Sequence, residues 1–77
     1  MQRKRILEIL EKYNCEIGFI HNSQIAFRFH TVGFVISYDM DNKTYSLRHR
    51  GSNNYLCFKT SYNTFKKILI GCINVNI

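Results

Sequence analysis

The hydrophobic residues change period at Asn14 and again at Thr60, and these two switches decide what the chain can fold into. Over residues 2–13, Ile6, Ile9, Leu10 and Tyr13 recur at about 3.6-residue spacing opposite Lys4, Glu8, Glu11 and Lys12. That spacing predicts an amphipathic helix. Asn14 suits its end, because Asn tolerates the left-handed backbone that a helix C-terminus often needs. From Cys15 to Thr60 the period is two and β-branched and aromatic residues dominate, so this stretch reads as strands. Breaks fall at residues 21–23, 30–33, 39–42 and 51–54. Thr60 or Ser61 then caps a second helix with Phe65, Ile68, Leu69 and Cys72 on one side, ending within 71–74. The predicted order is α-β-β-β-β-β-α, with the first strand carrying the weakest signal. This is an α+β fold: an antiparallel meander of four to five strands, flanked by N- and C-terminal helices packed on one face. It forms a single small domain over residues 1–77.

A register follows from the turns. A two-residue hairpin turn at Asp41-Asn42 sets Tyr38 opposite Tyr45, Ile36 opposite Leu47 and Phe34 opposite His49. The preceding hairpin then matches Phe29 with Phe34, Phe27 with Ile36 and Ile25 with Tyr38. A tight turn at Ser52-Asn53 brings Leu56 opposite His49 and Phe58 opposite Leu47. Each hairpin sends its apolar residues to the same face, and that agreement supports the assignment.

The other face then collects Ala26, Arg28, His30, Val35, Ser37, Thr44, Ser46, Arg48, Arg50, Tyr55, Cys57 and Lys59. In this register Arg28, Val35, Arg48 and Cys57 share a row, with His30, Arg50 and Tyr55 in the next. A solvated antiparallel sheet often shows Arg and Lys to water. Here, however, 11 Lys and Arg stand against five acids, a formal charge of +6, and unbalanced positive charge attracts polyanions. Arg binds phosphate bidentately and stacks on bases, and Tyr offers a stacking surface. Two further basic clusters, Arg3-Lys4-Arg5 and Lys66-Lys67, lie near helix starts. The first reads foremost as a solvated terminus and the second as the wet side of a helix, with a phosphate contact the alternative for each.

Composition closes several other routes. An aromatic share of 14% is too high for a disordered tail. The longest apolar run, residues 68–73, is far short of the roughly 20 residues that span a bilayer. Glu8 and Glu11 interrupt the apolar run that a signal peptide starting at Arg3-Lys4-Arg5 would need. The expected compartment is the cytoplasm of a bacterium or of a host cell. Cys15, Cys57 and Cys72 are odd in number and form no C-x-x-C pair, so they read as buried structural thiols, with no metal site and no cofactor. Catalytic groups are few. No carboxylates pair for acid–base work, and there is no phosphate loop or nucleophile elbow. His49 points to the apolar side. His21 in the first turn and His30 beside the basic face are the only candidates for proton transfer at a phosphate.

The order of elements resembles the double-stranded RNA-binding domain and the small HicA-type toxins, which are mRNA interferases on that fold. Ile6-Leu7-Glu8-Ile9-Leu10-Glu11-Lys12-Tyr13-Asn14-Cys15-Glu16 is similar to their first helix and its exit. Asn22-Ser23-Gln24-Ile25-Ala26-Phe27-Arg28 falls where they carry a Gly-Ser-His-His-x-Phe-type hairpin, and Thr64-Phe65-Lys66-Lys67-Ile68-Leu69 resembles the start of their last helix. The likeness covers about half the chain. Gln24 stands where the toxins carry a catalytic His, and an amide exchanges no proton near neutral pH. Asn22 replaces the turn glycine, and a strand over 55–60 is additional. The resemblance therefore implies a non-catalytic relative.

Three functions are open on this reading. The first is a small module that engages RNA or another nucleic acid through Arg28, His30, Arg48, Arg50, Tyr55 and Lys59, with Lys66 and Lys67 at the second helix. The second is an inhibitor encoded by a phage or mobile element, similar to anti-CRISPR proteins, that binds an acidic surface of a host nucleoprotein. The third is a residual ribonuclease using His21 or His30. No membrane partner is expected, and an exposed sheet edge could pair two copies of the chain.

Overall fold

The computed structural model describes residues 1–74. Helix α1 (Arg3–Lys12) forms as the spacing predicts, since Ile6 and Leu10, one turn apart, are both fully buried. It ends where Asn14 adopts φ 60°, with the Asn14 N–H donating to the Glu11 carbonyl and the Cys15 N–H donating to that of Leu10. Helix α2 (Tyr62–Ile73) is capped by Ser61, whose Oγ accepts the Thr64 N–H at 3.3 Å. Its buried stripe is Phe65, Leu69 and Ile73, with Ile68 and Cys72 half-buried beside it.

Between the helices run β1 (Glu16–Ile20), β2 (Gln24–Phe29), β3 (Val32–Asp39), β4 (Thr44–His49) and β5 (Tyr55–Thr60). They form one antiparallel sheet in the order β1-β2-β3-β4-β5, so β1 and β5 are its edges. Both helices lie on the face of Ile25, Phe27, Phe34, Ile36, Tyr45 and Leu47, which joins Ile6, Leu10, Phe65, Leu69 and Ile73 in one core. Within it Phe65 stacks on Tyr45 at 5.0 Å between ring centroids, and the Tyr45 hydroxyl accepts the Gln2 N–H at 2.7 Å, tying the start of α1 to β4.

The β3–β4 pairing is the predicted one, with Phe34 opposite His49, Ile36 opposite Leu47 and Tyr38 opposite Tyr45. The link differs: Asp39 and Thr44 still pair, and residues 40–43 form a four-residue loop in place of a two-residue turn. Asp39 organises that loop. Its Oδ1 accepts the N–H groups of Asp41 and Asn42 at 3.0 and 3.3 Å, and its Oδ2 accepts the Asn42 side-chain amide at 3.0 Å.

These bonds, the Asn42 amide first, hold the Asp39 carboxyl below the usual carboxylate range, and Lys59 adds to the effect. A depressed carboxyl contributes stability that is present above the unfolded-state pKa and is lost as pH falls through the folded-state value. Part of the drop in melting temperature between about pH 5 and pH 2 should therefore disappear in Asp39→Asn, which should also melt below wild type at neutral pH. Parallel melting curves for the two proteins across that range would refute this role.

The other two hairpins correct the expected register. In β2–β3 the pairs are Phe29 with Val32, Phe27 with Phe34 and Ile25 with Ile36, two residues from the expectation. His30 and Thr31 alone make the turn, His30 at φ 57°, and Phe27 stacks on Phe34 at 5.1 Å. In β4–β5 the register slips twice, pairing Tyr45 with Thr60, Leu47 with Cys57 and Arg48 with Tyr55. These irregularities place Cys57 in the core at 7% exposure and turn Phe58 outward at 56%. Leu56 stays half-buried against the core. Lys59 takes φ 52°, and its N–H donates to Ser46 Oγ at 2.8 Å.

Candidate functional site

No helix covers the second face of the sheet among the described residues. Its rows follow the observed register. Arg28 lies between Glu16 and Gly33, and Arg50 donates its N–H to the Gly33 carbonyl at 2.9 Å, so Glu16, Arg28, Gly33 and Arg50 run across the sheet. The next row is Phe19, Ala26, Val35, Arg48 and Tyr55. Of the expected rows, Val35 beside Arg48 stands, while Arg28 and Cys57 leave that row and His30, Arg50 and Tyr55 do not share one.

Gly33 matters at this point. A Cβ added there would stand 3.2 Å from the Arg50 Cβ and 3.5 Å from its Cδ, so the Arg50 stem occupies the space a side chain would take. Its guanidinium carbon then lies 5.9 Å from the Phe19 ring centroid, a cation–π distance. Arg50 and Arg28 line a hollow of about 290 Å³ together with Glu16, Ile17, Gly18, Phe27 and Gly33. Arg28 Nη2 donates to Glu16 Oε2 at 2.7 Å, and both side chains are exposed. The hydrogen bond to Glu16, and then its charge, raise the Arg28 pKa further, so it remains a cation. Arg48 is half-buried and turns toward the β4–β5 loop, with 3.4 Å contacts to the His49 and Ser52 carbonyls.

At the β5 edge, Tyr55 and Phe58 are exposed at 44% and 56% and pack edge to face, their centroids 4.8 Å apart. Lys59 Nζ sits 5.4 Å from the Phe58 centroid. Periodicity identified Tyr55 and assigned Phe58 to the core. The run Tyr55-Leu56-Cys57-Phe58 is apolar at every position, so alternation there does not choose a face.

No protein-family model, curated protein or solved structure matches this chain. The functional reading rests on the chain's own residues.

The remaining candidates lie elsewhere. His30 does not join the basic face: its ring packs on Phe29 at 4.2 Å and lines a cleft with Lys12, Tyr13, Asn14, Ile73 and Asn74, at the C-terminal ends of both helices. His21 packs on Phe19 at 4.6 Å, and its carbonyl accepts Arg3 Nη2 at 3.1 Å. Lys66 and Lys67 are exposed on α2; Lys66 shares a cleft with Arg5, Glu8, Ile9 and Tyr62 on the helical side. Cys15 and Cys72 are half-buried rather than buried, and burial raises both thiols, with Cys57 adding to the shift at Cys72. Such thiols stay protonated near neutral pH, which suits packing better than nucleophilic work. No helix among the described residues is long and apolar enough to cross a membrane.

Proposed function

We propose that this domain is a non-catalytic module that binds RNA, or another nucleic acid, through the sheet face opposite the helices. The observation that carries the reading is the hollow on that face flanked by two guanidinium groups, Arg28 and Arg50. Arg28, Arg48, Arg50 and Lys59 stand there against Glu16 and Asp39, and Glu16 is paired with Arg28 itself. Arg50 and Arg28 flank a hollow that a phosphate could enter, and paired guanidinium groups suit phosphate because their N–H groups bind it bidentately. Binding of this kind is dominated by backbone contacts and reads little sequence.

The helical side carries at least as much positive charge, with Arg3, Lys4, Arg5, Lys12, Lys66 and Lys67 against Glu8 and Glu11, and is the second candidate. The resemblance to HicA-type toxins agrees with the RNA assignment and with the absence of a catalytic role at Gln24. That half-buried amide donates to Ser37 Oγ at 3.5 Å, and His21 and His30 occupy opposite ends of β2 rather than one site.

The test uses a labelled RNA stem-loop and a salt series. Arg28→Gln with Arg50→Gln should weaken binding and reduce the salt slope by about 2, one for each lost phosphate contact. Glu16→Gln should act in the opposite direction, releasing Arg28 and raising affinity. Unchanged affinity and slope in the double variant would exclude this face. No binding by wild type at low salt would leave the charge to an acidic protein surface, the target expected of an inhibitor of a host nucleoprotein.

A further inference from the structure

Strand β5 departs from regular alternation in a particular way. A regular strand opposite β4 would bury Phe58 and expose Cys57. The two register slips do the reverse, with the large aromatic ring in water and the small thiol in the core. The backbone holds this arrangement with Lys59 at φ 52°, a conformation that L side chains rarely adopt, anchored by the Lys59 N–H to Ser46 Oγ. Local departures from the folding rules concentrate where function imposes them. What the departure produces here is an exposed pair of rings, Tyr55 and Phe58, with the Lys59 ammonium 5.4 Å from one of them and Arg48 in the row of the other.

An exposed aromatic surface with cations at its margin has a defined chemical complement. Bases present π-faces and carry phosphate between them, so unpaired nucleotides offer both parts at once. A duplex does not, because its bases are stacked on one another and only the backbone and groove edges are available. An acidic peptide would satisfy Lys59 but gains little from two aromatic rings. The geometry points to Tyr55 and Phe58 as a stacking platform for unpaired bases of a single-stranded nucleic acid, with Lys59 holding an adjoining phosphate. This rests on the nucleic-acid reading above and narrows it to single strands. Arg50 follows β4, next to the platform, and Arg28 lies farther off on β2, so a strand bound to the platform and to both would run over β4 and β3.

Two labelled RNAs, an unstructured oligouridine and a blunt, fully paired duplex without a loop, separate the two levels. Wild type should bind the single strand about tenfold or more tightly than the duplex, as expected from stacking of one or two bases. Tyr55→Leu with Phe58→Leu keeps apolar bulk and should erase that preference while leaving duplex affinity and the salt slope unchanged. Tyr55→Ala with Phe58→Ala should give the same result, and since both rings are exposed the thermal melt should stay close to wild type. Equal affinity of wild type for both RNAs, or a preference that survives both double variants, would overturn the platform while leaving the polyanion reading intact. Failure to bind either RNA at low salt would remove both.

Discussion

Phe65→Ala should largely unfold this domain. Phe65 is fully buried where the two layers meet, stacked on Tyr45 of β4 at an interplanar angle of 17°, with the Tyr62 ring at 6.2 Å. Removing a buried Phe side chain costs about 3–5 kcal/mol, through lost transfer energy and the cavity left behind. A chain of 77 residues has a total stability of about 4–12 kcal/mol, so the loss is a large fraction of what holds α2 to the sheet. Urea denaturation followed by circular dichroism should show the midpoint collapse. Phe65→Leu, which refills much of the volume, should recover more than half of the loss. A midpoint for the Ala variant within about 1 kcal/mol of wild type would mean that α2 is held by something other than this stack.

The sheet shows what a period of two can and cannot convey. Ile25, Phe27, Phe34, Ile36, Tyr45 and Leu47 were all assignable to the core face because alternation specifies parity. It does not specify neighbours. A shift of two residues preserves every face, so pairing Phe27 with Ile36 and pairing it with Phe34 were equally consistent with the pattern. The turn made the choice, and His30 accepted a left-handed backbone that its side chain does not advertise. At β3–β4 the polar run around Asp39 and Asn42 marked the loop centre, and the register was legible. The basic face was legible in the same measure: Arg28, Arg48, Arg50, Tyr55 and Lys59 could be grouped by parity, and His30 was misplaced because it belongs to the turn. Gly33 as the bed for Arg50, and Phe19 beneath its guanidinium, depend on cross-strand partners and could not be read from one strand at a time.

Cys57→Asp and Phe58→Asp should have opposite fates, and the contrast tests the point on which the proposed platform depends. In a regularly alternating β5, Phe58 would sit against Leu47 and a carboxylate there would be intolerable. In the observed strand Leu47 faces Cys57, which is 7% exposed and packed among the core residues. A charge placed there has no partner, and burying it costs several kcal/mol or forces the group to take up a proton. Cys57→Asp should therefore be unfolded or nearly so at neutral pH and regain some stability as the pH falls, because protonation removes the buried charge. Phe58→Asp loses a half-exposed ring and its edge-to-face contact with Tyr55, so its urea midpoint should stay within about 1 kcal/mol of wild type. The reverse order would return Phe58 to the core, remove the reason for the left-handed Lys59, and leave Tyr55 alone on the open face. The order expected here requires the chain to have turned an aromatic ring out to water while spending a left-handed residue to do so, and a solvent-exposed stacking surface is the return that such an arrangement provides.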